Sequence, residues 1–190
     1  MIKAITRHPG GYQLRVQLAD IDPAIWRLFT VPAGITLGDL HKILQLVMGW
    51  EDSHLHQFRD RKQCYGIPDE DDDFDTNLLD EESITIDEFF TKRGSKLIYE
   101  YDFGDGWEHL IVCQKILAET PAVAVVDGAR ACPPEDCGGV GGYYDLLEVL
   151  ADSKHERYAE LKEWLGVEYD PEHFDAAEIN KVFEPREKRK

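Results

Sequence analysis

An alternating run of apolar residues that leads into an Asp-Gly turn constrains the fold of this chain most strongly. Apolar side chains occupy every second position of the run: Leu97, Tyr99, Tyr101 and Phe103. This is the period of a strand with one buried face. A second apolar run, residues 107–116, follows Asp105-Gly106, and an Asp-Gly step between two such runs is a strong hairpin signal. The pattern predicts antiparallel strand pairing in the middle of the chain.

Other patterns extend this prediction to the rest of the chain. Residues 12–18 and 25–31 read as a hairpin, and Thr36 with Asp39 forms a capping-box pattern before a helix at 37–48. The remaining predicted elements are a strand within 53–65, a short helix within 83–90 and helices at 143–151, 156–164 and 175–183. We therefore expect an α+β fold with a mainly antiparallel sheet, one helix after the first hairpin and a helical C-terminal third.

Length and composition predict one domain over residues 1–190. The chain has 190 residues, of which 43% are hydrophobic, so a core can form without disulfides or a structural metal. The sequence contains neither a long apolar run nor a charged and apolar leader. A cytoplasmic protein without a membrane partner is expected.

The net charge of −17 is concentrated in one segment. Eleven acidic residues and no Lys or Arg lie between positions 69 and 88, and we interpret residues 69–80 as a mobile acidic loop. The alternative is a calcium loop of the EF-hand type, in which Thr76 replaces the required glycine; its ligand positions would be Asp71, Asp73, Asp75, Asn77 and Glu82. A short basic tail occupies 186–190, and strong non-specific nucleic-acid binding is not expected.

Two segments carry candidate metal ligands. His54 and His56 are two positions apart on a predicted strand, so both imidazoles face the same side. The hairpin can add carboxylates and a third imidazole, which gives a candidate ligand set for a divalent metal: His54, His56, Asp102, Asp105 and His109. The alternatives are half-buried histidines bonded to the backbone and a hairpin whose Asp caps the turn. No other cofactor is expected.

The segment 132–142, rich in Pro and Gly, is predicted to be an irregular loop. Glu135 and Asp136 are its candidate general bases. The glycines that precede Tyr143 can present backbone N–H groups to an anion, although a tight turn before a helix explains them equally well.

Three ordered motifs resemble the plasmid pRiA4b ORF-3-like family. They are Trp50 with residues 54–58, residues 99–109, and residues 132–139 with Gly142-Tyr143. The resemblance spans about residues 12–183 and implies a shared fold rather than an activity. Family members are associated by name with plasmids and insertion elements. The residues that lie on the family motifs are His56, Asp102, Asp105, Trp107, His109, Glu135, Asp136 and Gly139.

Two functions remain open at this stage. The first is a binding or adaptor module of mobile-element origin, whose partner is unknown and can be another protein. Its predicted recognition surface consists of Trp107, Pro133, Pro134, Gly138, Gly139 and Tyr143. The second is a metal-dependent hydrolase, acting for example on a phosphoester, with ligands His54, His56, Asp105 and His109. Convergence of these side chains around a cleft distinguishes the hydrolase from the adaptor.

Overall fold

The structure, a computed structural model, describes residues 9–68 and 78–184. Its strands are β1 (Gly11–Leu18), β2 (Trp26–Pro32), β3 (His56–Arg59), β4 (Cys64–Gly66), β5 (Leu78–Asp80), β6 (Lys96–Tyr101), β7 (Trp107–Leu117) and β8 (Ala124–Ala129). Its α-helices are α1 (Leu37–Met48), α2 (Gly139–Ala151), α3 (Tyr158–Leu165) and α4 (Ala176–Asn180). Short 3₁₀ turns occupy Glu81–Ser83, Ile86–Glu88 and Lys181–Phe183.

All of these strands belong to one sheet, in the order β5-β4-β3-β6-β7-β1-β2-β8. β1 and β2 pair antiparallel, and so do β6 and β7, as the alternating patterns predict. In the β6–β7 pair Tyr99 lies opposite His109 and Tyr101 lies opposite Trp107. β3 pairs with the other edge of β6, where His56 lies opposite Tyr101. The hairpin and the histidine segment are therefore adjacent in the sheet.

The core lies on one face of the sheet. The aromatic residues Tyr99, Tyr101 and Trp107 are buried there. α1 contributes Leu40 and Leu44 to the same core, and its N-terminus carries the predicted capping box between Thr36 and Asp39. His41 and Gln45 of this helix are also buried, so the helix places two polar side chains against the sheet.

The predicted fold class is wrong in two respects. The sheet is mixed rather than antiparallel in its pairing, because β5 runs parallel to β4. The acidic neighbours of residues 78–80 led to the prediction of a loop there. A parallel pair also needs a crossover connection, so no hairpin pattern in the sequence indicates this strand.

The predicted helical C-terminal third is the second error. Helices do form near the predicted 143–151, 156–164 and 175–183, but the last is reduced to the five residues of α4, and irregular chain separates all three. Aspartate side chains explain the interruptions, since Asp152 accepts from Lys154 N and Asp170 accepts from Glu172 N. Such local bonds compete with helix formation.

Part of the predicted acidic loop lies outside the described residues. Residues 69–77, which include most of the EF-hand-like positions, are outside the described ranges, and so is the basic tail 186–190. The last three residues of the predicted loop form β5. Within the two described ranges, no helix combines the length and apolar character that crossing a membrane requires.

Candidate metal centre

His54 and Asp102 are brought together where the β3–β6 pairing ends. Asp102 N donates a hydrogen bond of 2.9 Å to the carbonyl oxygen of Leu55, which continues the ladder one step beyond His56 and Tyr101. His54 Nε2 lies 3.7 Å from Asp102 Oδ2. The hairpin motif and the histidine motif therefore meet at one end of the sheet.

The Asp102 carboxylate is held by its own turn. Asp102 adopts a left-handed backbone conformation with φ of 56°. Its Oδ1 accepts from Gly104 N at 2.9 Å and from Asp105 N at 3.3 Å. A non-glycine residue in this conformation carries backbone strain, which is found disproportionately at functional sites. Oδ2 is left to face His54.

The irregular loop after Cys132 supplies two further carboxylates. The Pro133 carbonyl accepts from Trp50 Nε1 at 3.0 Å, and Asp105 Oδ2 accepts from Gly138 N at 3.0 Å. These bonds fix the loop on both sides of Glu135 and Asp136. Asp136 also has a left-handed φ, of 56°.

Glu135 is oriented by bonds to only one of its oxygens. Oε1 accepts from Glu51 N at 2.9 Å and from the Tyr101 hydroxyl at 3.0 Å. Burial, together with the neighbouring Glu135 carboxylate, raises the pKa of Tyr101, so this phenol remains a neutral donor. Glu135 Oε2 points towards His54 Nε2, 3.7 Å away.

His54, Asp102, Glu135 and Asp136 form what we call the His54 cluster. Within residues 9–68 and 78–184, His54 Nε2 and Glu135 Oε2 are both buried and have no hydrogen-bond partner. His54 Nε2 also lies 3.2 Å from Asp136 Oδ1. Ligand atoms about 2.1 Å from one cation are roughly 3.0–3.4 Å apart at octahedral or tetrahedral angles. The 3.2 Å separation of His54 and Asp136 falls in this range, and the 3.7 Å separation of His54 and Asp102 is slightly longer. His54, Asp102 and Asp136 each offer an atom within 4.8 Å of the others.

His56 belongs to a different cluster. Its ring stacks on that of His41, with the centroids 3.4 Å apart and the planes at 1°. His56 Nε2 bonds to Glu81 Oε2 at 2.9 Å, and His41 Nε2 bonds to Asp52 Oδ1 at 2.8 Å. His41, Asp52, His56 and Glu81 form what we call the stacked-histidine cluster. Burial and the adjacent His56 ring lower the pKa of His41, and Asp52 opposes this shift.

The other two predicted ligands are not in either cluster. Asp105 bonds to Gly138 N and so holds the loop. His109 is fully buried, and its Nδ1 lies 3.0 Å from the Trp107 carbonyl and 3.2 Å from the Tyr99 carbonyl. His109 is therefore a buried histidine bonded to the backbone, which is the alternative to a metal ligand that the sequence left open.

The predicted recognition surface is largely inaccessible. Trp107 and Tyr143 are 1% and 0% exposed, and Pro133 and Gly139 are also buried. These residues pack the loop and α2 against the hairpin and do not face a partner. The proposed surface is corrected accordingly, with Pro134 and Gly138 its remaining accessible members.

Sequence reasoning missed His41, Asp52 and Glu81. A signal existed for His41, because it falls four residues after Leu37 and three before Leu44 on the apolar face of α1. A polar side chain at such a position needs a buried partner. Glu81 has no comparable signal, since it is one of many acidic residues in its segment.

A groove open to solvent is lined by all four residues of the stacked-histidine cluster and reaches His54 of the other cluster. Its volume is about 590 Å³, and its lining includes His54 and His56 together with the exposed apolar side chains Leu55 and Ile67. Asp52 and Glu81 also line it. In the described part of the chain, the fold and these clusters define a class of protein in which a mixed eight-stranded sheet carries two histidine–carboxylate clusters beside or near a groove.

The family resemblance is confirmed by comparison with known proteins. A sequence model of the plasmid pRiA4b ORF-3-like proteins matches residues 10–178, and the chain belongs to this family. It is 40% identical over 177 residues to the uncharacterized protein y4hQ of Sinorhizobium fredii, covering 90% of this chain and 89% of that protein.

A solved structure shares the fold. The crystal structure of MM3350 from Methanosarcina mazei Go1, a protein of unknown function, superposes with a TM-score of 0.78 at 37% sequence identity. The match covers 88% of this chain and 96% of that one. These relatives therefore support the fold, and their descriptions name no activity.

Proposed function

We propose that this protein is a divalent-metal-dependent hydrolase whose cation is held by His54, Asp102 and Asp136. The observation that carries the proposal is the pair of buried, unbonded atoms His54 Nε2 and Glu135 Oε2 facing each other across 3.7 Å within the part of the chain that the structure describes. Leaving such atoms without partners is costly, and a cation on His54 Nε2, with a coordinated water facing Glu135 Oε2, removes that cost.

The donor set favours a catalytic site over a structural one. Three protein ligands with an open fourth position are typical of catalytic metal sites, whereas structural sites are closed. Asp136 is 71% exposed, so the cluster opens to solvent and has room for water. One imidazole with carboxylates suits Mn²⁺ or Zn²⁺.

Glu135 takes the role of general base in this proposal. A bound divalent cation lowers the pKa of a coordinated water. Glu135 Oε2 accepts a proton from that water, the water oxygen bonds to the carbonyl carbon of an ester, and the alcohol leaves with the transferred proton. Tyr101 and the backbone N–H of Glu51 hold Oε1, which keeps Oε2 aimed at the cluster.

The groove favours an uncharged substrate. Its lining carries Asp52, Asp80, Glu81 and Glu82 against one lysine, Lys42. Asp80 and Glu82, which belong to neither cluster, outnumber Lys42 and disfavour a doubly charged phosphate monoester, so an uncharged ester fits better than the phosphoester named by the sequence hypothesis. Leu55 and Ile67 offer apolar contact for its acyl or alcohol group.

The test combines Mn²⁺ binding with ester hydrolysis. Protein stripped with EDTA is titrated with Mn²⁺, and hydrolysis of p-nitrophenyl acetate and p-nitrophenyl phosphate is followed with and without the metal. We expect Mn²⁺ binding and metal-stimulated hydrolysis of the acetate. His54→Gln should abolish the hydrolysis and the Mn²⁺ binding at this cluster. Glu135→Gln should keep Mn²⁺ binding and lose at least about tenfold in rate, since general-base catalysis contributes about 10²–10⁴-fold.

The matched control is His173→Gln. His173 is an exposed histidine that bonds to Glu178 at 3.0 Å, and it belongs to neither cluster. This variant should behave as the wild type. Mn²⁺ binding without hydrolysis of either ester would contradict the hydrolase and favour the binding module, whereas absence of Mn²⁺ binding would contradict the metal centre itself.

A further inference from the structure

We infer that the stacked-histidine cluster is a second cation site, one that takes a nitrogen-preferring divalent metal such as Zn²⁺. His41, His56 and Asp52 each offer a ring nitrogen or a carboxylate oxygen, and these atoms all lie within 4.8 Å of one another. Glu81 Oε2, 2.9 Å from His56 Nε2, is placed to provide a fourth ligand. Two imidazoles with carboxylates are a donor set that Zn²⁺ accepts in tetrahedral geometry.

Charge balance supports a cation at this position. The His41, His56 and Glu81 side chains are each only 4–5% exposed. With neutral imidazoles, the buried carboxylate of Glu81 and the half-exposed carboxylate of Asp52 bring two negative charges together. Lys42, which lines the same groove, pairs instead with Glu82 at 3.3 Å. One divalent ion neutralises both carboxylates, whereas two protonated rings 3.4 Å apart repel each other.

An outer shell already orients the first of these ligands. Gln45 Oε1 accepts from Asp52 N at 2.9 Å, and this bond turns the Gln45 amide nitrogen towards the Tyr99 hydroxyl, also at 2.9 Å. The same hydroxyl lies 2.8 Å from His41 Nδ1. Gln45 therefore fixes both the Asp52 loop and the phenol that holds the His41 ring. Metal-bound histidines use such a partner on the nitrogen that does not bind the metal.

The second site is separate from the His54 cluster. The two clusters share no residue, and each brings its own set of ligand atoms within 4.8 Å of one another. Each cluster therefore holds its own cation, and the second site does not depend on the hydrolase proposal.

Zinc stoichiometry tests the inference. EDTA-treated protein is titrated with Zn²⁺ by calorimetry, and the ring nitrogens of the histidines are followed by ¹⁵N NMR. We expect two equivalents for the wild type, one for His56→Gln and one for His54→Gln, with the Nε2 signals of His41 and His56 shifting together. His173→Gln should retain two equivalents.

A second variant, Asp52→Asn, tests the same site at a more exposed position, where a substitution disturbs folding less. Asp52 is 54% exposed, so Asp52→Asn should fold and weaken the second equivalent at least about tenfold. If His56→Gln or Asp52→Asn binds both equivalents with unchanged affinity, or if wild-type protein binds one equivalent that His56→Gln keeps, the second site is overturned. A single equivalent that His54→Gln keeps and His56→Gln loses would instead overturn the His54 centre and support the second site.

Discussion

The His109 side chain is completely buried, and its surroundings accept only one of its protonation states. Nδ1 lies against the carbonyl oxygens of Trp107 and Tyr99 and donates its hydrogen there. Nε2 has no partner in the described part of the chain. A proton on Nε2 would be buried without an acceptor, and burial accordingly lowers the His109 pKa from 6.5 to about 4.

This residue should make stability depend on pH. Between about pH 4 and 6.5 the unfolded chain binds a proton at His109 that the folded chain does not. The contribution of His109 to the free energy of unfolding therefore falls as pH decreases through that window, and it changes no further below it. The loss amounts to about 3 kcal/mol at the conversion of 1.36 kcal/mol per pKa unit. Urea unfolding of wild type and His109→Asn from pH 4 to 7 measures it. Parallel curves for the two proteins would show that His109 does not contribute.

Gly139 illustrates a residue whose lack of a side chain builds the candidate site. Its φ is +66°, and a Cβ there would lie 2.4 Å from the Asp105 carbonyl oxygen. Gly139→Ala should cost about 2 kcal/mol or more in unfolding free energy, because left-handed strain and a backbone clash act together. It should also weaken Mn²⁺ binding by displacing Asp136.

Gly141 provides the control for this substitution. It lies in the same helix, and a Cβ there would meet no described atom within 4 Å. Gly141→Ala should be neutral or stabilise by up to about 1 kcal/mol, since alanine favours the helix. Chemical denaturation of both variants is the measurement, and equal effects would argue against the clash.

At the level of elements, helix α1 positions the polar groups of the stacked-histidine cluster. Thr36 Oγ1 accepts from Asp39 N at 3.0 Å, and Asp39 Oδ2 accepts in return from Thr36 N at 3.3 Å. Thr36→Ala should reduce stability by about 1 kcal/mol. A thermal melt should then shift by roughly 2–4 °C, the usual response of a domain this long. Thr36→Ser retains the hydroxyl and should melt as the wild type does; an equal loss in both would assign the effect to packing of the methyl group.

The sequence predicts elements well where local chemistry decides them. The β6–β7 hairpin follows from alternation and an Asp-Gly turn, and the start of α1 follows from its capping box. β5 could not be predicted, because its parallel pairing with β4 depends on tertiary contacts and its neighbours in sequence are acidic. The C-terminal helices form close to their predicted positions, but periodicity did not reveal that the last one ends at Asn180 and continues as a 3₁₀ turn.

At the scale of the whole molecule, the candidate sites were also predicted only in part from the sequence. The residue types in the sequence pointed to His54, Asp102 and Glu135, but they also placed His56 and His109 in the same site. The sheet order separates them: Tyr99 lies opposite His109 and packs 5.9 Å from the His56 ring, between the two histidines. Partners such as His41 come from a helix far away in sequence, so their approach to His56 is a property of the fold.

The His54 cluster should couple cation binding to global stability. Its residues come from three separate segments, so the site exists only in the folded chain, and a cation that binds there stabilises the folded state. At a Mn²⁺ concentration 100 times the dissociation constant, the gain is about 2.7 kcal/mol. For a chain of 190 residues this corresponds to roughly 5–10 °C in melting temperature. Melting the His56→Gln variant isolates the contribution of this cluster, and adding His54→Gln or Asp102→Asn should remove the shift. An equal shift with and without His54 would place the stabilising cation elsewhere.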